Sequence, residues 1–314
     1  MSAGVSAERL RGKTVRGVLF SLLAGASWGF SGTVGQYLFT EKQMDSGWLT
    51  VVRMLASGVI LLAAAALRRP KSLRLVWQSR RDAARLILFA LLGLMAVQYT
   101  YMQAIRHSNA GVATALQYLG EALILLVACV SARRLPRRSE VLGLALALAG
   151  VFLLSTHGSL HAMALSPSGL LWGLAASVSL MLYTLLPAGI IRKYGSQAVT
   201  GYAMVIGGLV LALALRIWRV RVTLDAAAAL GVVAVVLIGT VLGFSIYLQS
   251  VADIGGVRAG LLASTETIAA LLFSALWLHT EFAPADWAGV FCMAVMVVLL
   301  ALPELRSARS APEP

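Results

Sequence analysis

The chain has 314 residues, of which 59% are hydrophobic and 12% charged, with a mean hydropathy of +0.84. Soluble domains carry roughly 25% charged residues, and a soluble fold of this length could not hide so much apolar surface from water. The net charge of +13 would suggest nucleic acid in a soluble protein, but here the basic residues sit between apolar segments, where they set orientation and meet anionic headgroups. No aromatic-interleaved basic patch points to a nucleic-acid partner. Cys129 and Cys292 both fall within apolar segments and read as small core residues.

Arg9, Arg11, Lys13 and Arg16 precede an apolar run through Ala24-Gly25-Ala26, a triplet that mimics a signal-peptide cleavage site. The apolar character continues to Leu38, so an uncleaved first span is expected. A bilayer is crossed by roughly 20 apolar residues, and ten such spans are expected. They run from Val15 to Phe39, Trp48 to Leu67, Leu86 to Ile105, Gly111 to Ser131 and Val141 to Ser155. The second five run from Gly169 to Ile191, Ala198 to Ile217, Ala229 to Val251, Arg258 to Leu278 and Ala285 to Leu302. The tail Arg306–Pro314 reads as disordered.

The basic residues set the expected orientation. With the N-terminus in the cytoplasm, twenty of the 26 Lys and Arg residues fall inside and five outside, leaving Arg53 within a span. Seven of the inner ones crowd the loop Arg68–Arg85; Arg216, Arg219 and Arg221 dissent on the outside. The expectation is a multi-pass protein of the cell (inner) membrane with both termini cytoplasmic.

The two halves repeat. Tyr101-Met-Gln103 recurs as Tyr247-Leu-Gln249, and Gly111-Val112 through Glu121 recurs as Gly256-Val257 through Glu266. Gly143 ahead of the fifth span has a partner in Gly289 ahead of the tenth, and Ser57-Gly58 has one near Gly207-Gly208. Five spans per half is an odd number, so the second half must enter the membrane from the opposite side. The fold class expected is an all-α membrane protein of ten transmembrane helices in two inverted five-helix repeats, 1–158 and 159–314, whose shared interface is the usual place for a substrate.

This layout resembles the drug/metabolite transporter superfamily, specifically the EamA family. The resemblance rests on Ser27-Trp28-Gly29, Arg53, Asn109–Leu126 and Gly255–Leu278, followed by His279-Thr280-Glu281 and Gly289. The family's closing signature has a Leu-Glu-Pro and a later Gly-Glu. Here Thr267 replaces the proline and Thr280 stands where Gly is usual, while Arg134-Leu135 replaces an acid expected in the first half. The resemblance implies a secondary transporter, commonly an exporter of amino acids or other small metabolites.

Glu121 is the leading candidate for the site. An ionisable side chain in a span is expensive and is expected to face the interior or a water-filled path. On a helix, Thr114, Gln117 and Glu121 share its face. Glu121 is expected to accept protons or pair with an ammonium group, and Glu266 is its matched but plainer counterpart. Arg53 holds a substrate carboxylate, neutralises one glutamate, or snorkels from near a helix end. Trp28 in the first span and Trp172 and Tyr183 in the sixth lie on faces that would line a cavity, as would Tyr101 and its match Tyr247. The set expected to bind substrate is therefore Glu121, Gln117, Thr114, Trp28, Tyr101, Arg53, Glu266, Tyr183 and Trp172, with Glu121 and Glu266 coupling protons. Gly25, Gly29 and Gly32 read as close helix packing.

His157 and His161 are spaced for a metal on a helix, but the segment reads as a loop, and no metal is expected. No phosphate-binding loop or catalytic pair is present, so no cofactor, ATP-driven step or catalytic residue is expected. The partners expected are a small-molecule substrate, the lipid bilayer and, where coupling exists, protons, with the chain a monomer or homodimer. A transporter moving an organic cation held by glutamates and aromatics remains an alternative, as do an intramembrane enzyme and a non-transporting scaffold.

Overall fold

The computed structural model describes residues 2–68, 70–159, 165–254 and 256–310, so His161 and part of the Gly255–Leu278 segment lie outside the described residues. Every regular element among the described residues is a helix. In chain order they are α1 (Ser2–Thr40), α2 (Ser46–Arg68), α3 (Pro70–Gln78), α4 (Arg80–His107), α5 (Ala110–Ser131), α6 (Arg138–Thr156) and α7 (Pro167–Leu185). There follow α8 (Ala188–Tyr194), α9 (Ser196–Leu215), α10 (Ala226–Val251, its last turn reaching Ile254), α11 (Gly256–Ala263), α12 (Thr265–Trp277) and α13 (Pro284–Ser310). Seven of them, within α1, α2, α4, α5, α7, α9 and α10, are long and apolar enough to cross a membrane. The tail expected to be disordered is helical as far as Ser310.

Local chemistry sets many of these boundaries. Asn109, Ser166 and Asp225 sit in extended conformation ahead of α5, α7 and α10, and each side-chain oxygen accepts the backbone N–H of the third residue of its helix, at 2.8, 3.0 and 2.7 Å. The sixth span, expected to reach Ile191, stops at Leu185, because Pro187 has no N–H to continue the ladder. The ninth is broken in two at Ser264, between α11 and α12. Across the break the Thr267 N–H donates to the Ser264 carbonyl at 3.1 Å and the Thr265 hydroxyl donates to that of Leu262 at 2.8 Å.

Two helices contain a π-helical stretch, Phe89–Met95 in α4 and Val235–Leu242 in α10. Such stretches widen the turn and often accompany functional sites. In α10 the Thr240 hydroxyl helps close the wide turn by donating to the Val235 carbonyl at 3.2 Å.

The packing is reciprocal. Helix α1 lies against α10 and α12, while α7 lies against α4 and α5; α2 pairs with α9 and α6 with α13. Glycines mark the crossings. A Cβ on Gly207 or Gly208 would press on Met54 or Leu55 of α2, and Gly150 and Gly289 each face the other's carbonyl oxygen where α6 meets α13. Outward-facing Leu19, Val59, Leu148, Leu171, Leu213 and Phe291 are exposed, as lipid-facing positions require.

Candidate functional site

A cavity of about 670 Å³ lies among the helices. It runs from Ser31 and Arg53 in the middle of α1 and α2 to Arg134, Arg137 and Glu140 at the turn between α5 and α6. At the other end of the bundle the chain is closed by the core of Val34, Leu38, Phe39, Leu49, Met102, Ile105, Ala113 and Val235, all nearly inaccessible. Gln36 fastens that end. Its carbonyl oxygen accepts the Ala110 N–H at 2.9 Å and the Ser274 hydroxyl at 3.1 Å, and its amide donates to Thr280 at 3.0 Å. One side chain thereby ties α1 to the start of α5 and the end of α12.

Arg53 is the cationic group of the inner wall. Only 7% of it is exposed, yet its partners are neutral: Nη2 donates to Gln98 at 2.9 Å and Nε to Thr240 at 3.1 Å. Gln98 stands on α4 just after its π-helical stretch, and Thr240 lies inside that of α10. Both widened turns therefore contribute to holding one guanidinium, and among the described residues no carboxylate lies within ion-pair distance of it.

Glu266 lies in the first turn of α12, just beyond the break at Ser264. The Tyr118 hydroxyl donates to it at 3.3 Å. The break is held from outside by α1, because Gly25 and Gly29 bring that helix onto the backbone of Ala263, Glu266 and Ala270. The glycines read as packing residues thus sit directly behind the carboxylate. Glu121 and Gln117 line the cavity from α5.

Trp28 packs edge-on to Phe244, centroids 5.4 Å apart, and against Tyr247 at 5.2 Å, with its indole nitrogen over Gly243. Tyr101, Tyr183 and Tyr247 also line the cavity. Of the nine residues singled out from the sequence, Glu121, Gln117, Trp28, Tyr101, Arg53, Glu266 and Tyr183 surround this one space. Thr114 stands one layer behind, fully buried and bonded to the Tyr101 hydroxyl at 2.8 Å. Trp172 lies elsewhere, edge-on to Tyr99 with centroids 5.7 Å apart. The matched Gln103 and Gln249 serve other contacts, with Ser46 and Asp253 respectively.

The sequence profile of the EamA-like transporter family matches residues 15–156 and again residues 167–302. The chain belongs to the EamA-like transporter family. It is 33% identical over 300 residues to "Uncharacterized inner membrane transporter YicL" of Salmonella typhimurium strain LT2, covering 96% of this chain and 100% of that protein. A solved crystal structure that is 17% identical superposes with a TM-score of 0.63 over 95% of this chain and 99% of its own, and so shares the fold. This EamA-family chain is thus a membrane-spanning transporter, with a bilayer around it and a small molecule as substrate.

The sequence reading had not singled out Tyr118, Gln98 and Phe244, which line the cavity, or Thr240, which holds Arg53. Tyr118 was recoverable, since it lies four residues after Thr114 and three before Glu121, on the same helical face. Gln98 stands three residues before Tyr101 and was recoverable in the same way. Thr240 and Phe244 gave no such signal, because their place depends on how α10 packs against α1 and α2.

Proposed function

We propose that this chain is a secondary transporter of the inner membrane that exports a small polar or amphiphilic metabolite, an amino acid or related compound, by alternating access. The observation behind this reading is one cavity with a buried arginine on one wall, glutamates on another and aromatics between. Such a lining suits a molecule that carries both charges and an apolar body. In the proposed orientation both termini are cytoplasmic, and the cavity faces the cytoplasm with the Gln36 end shut.

Ten crossings in two inverted repeats are part of the same proposal. Asp82 at the start of α4 bonds Lys193 at 2.7 Å, and Asp225 at the start of α10 bonds Lys42 at 2.6 Å. These helices are the two with π-helical stretches, and the two ion pairs lie at opposite ends of α2. An inverted duplication predicts that relation, as it predicts the reciprocal packing of α1 and α7. At the exposed outer pair, the hydrogen bond from Lys42 holds the Asp225 carboxyl below the usual carboxylate range. Its contribution is present at neutral pH and fades as pH falls through that range.

Glu121 and Glu266 are proposed to exchange protons during transport. In proteoliposomes, Glu121→Gln is expected to cut flux driven by a pH gradient by about tenfold or more, the loss that follows when a carboxylate can no longer ionise inside the membrane. Binding should survive in part. Undiminished gradient-driven flux in this variant would remove the role assigned to Glu121.

A second reading is favoured by Trp28, Phe244 and Tyr247 packed together on the same cavity as the two carboxylates. Aromatic faces and carboxylates also hold organic cations. A competition assay separates the two: displacement by tetraalkylammonium ions and none by zwitterions favours the cation, and the reverse pattern favours the metabolite.

A further inference from the structure

We propose that α3 and the arginines around it form a headgroup site for anionic phospholipid. Helix α3 joins α2 to α4, so it lies at the level where spanning helices leave the bilayer. It is clamped to the bundle on one flank. Val76 is 1% exposed, the Tyr202 hydroxyl donates to the Leu73 carbonyl at 3.1 Å, and the Trp77 ring meets that of Tyr202 edge-on at 5.3 Å. On either side of buried Val76, Leu75 and Trp77 remain 46% and 43% exposed. Half-exposed apolar side chains that include a tryptophan, beside basic residues, match a helix lying in the headgroup region.

The charge is one-sided. Arg68, Arg74, Arg80 and Arg81 are exposed, and among the described residues no carboxylate lies within ion-pair distance of any of them. The segment's one acid, Asp82, is already engaged: it accepts Lys193 at 2.7 Å and Tyr194 at 2.7 Å, with Arg85 more distant at 3.9 Å. Among the described residues these guanidiniums therefore have no counter-charge within ion-pair distance. Lipid phosphates are the anions available at this depth, and guanidinium forks match their oxygens in pairs.

The site is also placed to matter mechanically. Asp82 ties α4 to α8 through Lys193 and Tyr194, and α3 touches α2, α4 and α8 together. A headgroup bound there would brace the ends of several helices at once.

The test uses the full chain in phosphatidylethanolamine vesicles containing an equal mole fraction of brominated phosphatidylglycerol or brominated phosphatidylcholine. Quenching that is present in wild type and absent in Trp77→Phe reports lipid at Trp77. This component is expected to be about threefold stronger with the anionic lipid, as electrostatic enrichment at a polybasic segment predicts. In Arg74→Gln/Arg80→Gln/Arg81→Gln the preference should vanish, and in the corresponding triple Lys variant it should be intermediate, since an ammonium keeps the charge but not the fork. Soluble glycerol phosphate should not displace the lipid. Equal quenching by both lipids in wild type, an unchanged preference in the Gln variant or displacement by glycerol phosphate would each overturn the proposal.

Discussion

Arg53→Ala is expected to weaken substrate binding far more than it weakens the fold. The two effects separate because of how Arg53 is held. Its guanidinium is almost fully buried and satisfied only by the neutral Gln98 and Thr240. A buried charge with no carboxylate within ion-pair distance among the described residues contributes modestly to stability, since desolvation offsets much of what its hydrogen bonds return. Toward an anionic substrate group the balance reverses, because a charge-assisted hydrogen bond is worth about 1.5–3 kcal/mol. At 1.4 kcal/mol per factor of ten, affinity should fall about 10- to 100-fold. Arg53→Lys should not restore it, since an ammonium cannot reach both Gln98 and Thr240 with the planar fork that now spans them. The measurements are ligand-induced thermal shift and saturable flux in liposomes. Unchanged affinity would mean that Arg53 only organises the meeting of α2, α4 and α10.

Gly29→Val is expected to have the largest effect on the fold. A Cβ at Gly29 would lie 2.7 Å from the Ala270 nitrogen and 2.7 Å from the Glu266 oxygen, both backbone atoms that cannot rotate away. Helix α1 would have to move off α12 just where the broken span presents Glu266. Overpacking of this kind costs about 1–3 kcal/mol even for an added methyl group, and the branched side chain of valine should exceed that. Gly35→Ala on the same helix is the control, because its nearest neighbours, Met102 Sδ and a Phe39 ring carbon, are 3.7 and 4.0 Å from the new Cβ. Detergent-solubilised Gly29→Val should show a lower apparent melting temperature and weaker substrate binding, and Gly35→Ala neither. Equal behaviour of the two variants would show that the α1–α12 contact does not position the carboxylate.

Much of the site was legible in one dimension. Charged and hydrogen-bonding side chains stand out in apolar segments because hydrocarbon tolerates them poorly, and so Arg53, Glu121 and Glu266 declared themselves. Helical spacing then added Gln117 beside Glu121. Trp172 shows the limit of that logic. It was expected on a cavity-lining face of the sixth span as Trp28 was of the first, yet Trp28 packs with Phe244 at the cavity while Trp172 meets Tyr99 away from it. A face read from spacing states which residues look the same way, not what lies opposite.

Composition and periodicity alone determined that this chain is a helical membrane protein, since bilayer thickness and backbone hydrogen bonding leave few other structures. The resemblance in scattered motifs already pointed to its family. The break at Ser264 and the two π-helical stretches were decided only in three dimensions. Each exchanges regular backbone bonds for a local irregularity, and no residue pattern announces that exchange. It becomes favourable only when neighbouring helices fill the space, as α1 does through Gly25 and Gly29 and as Arg53 does between Gln98 and Thr240.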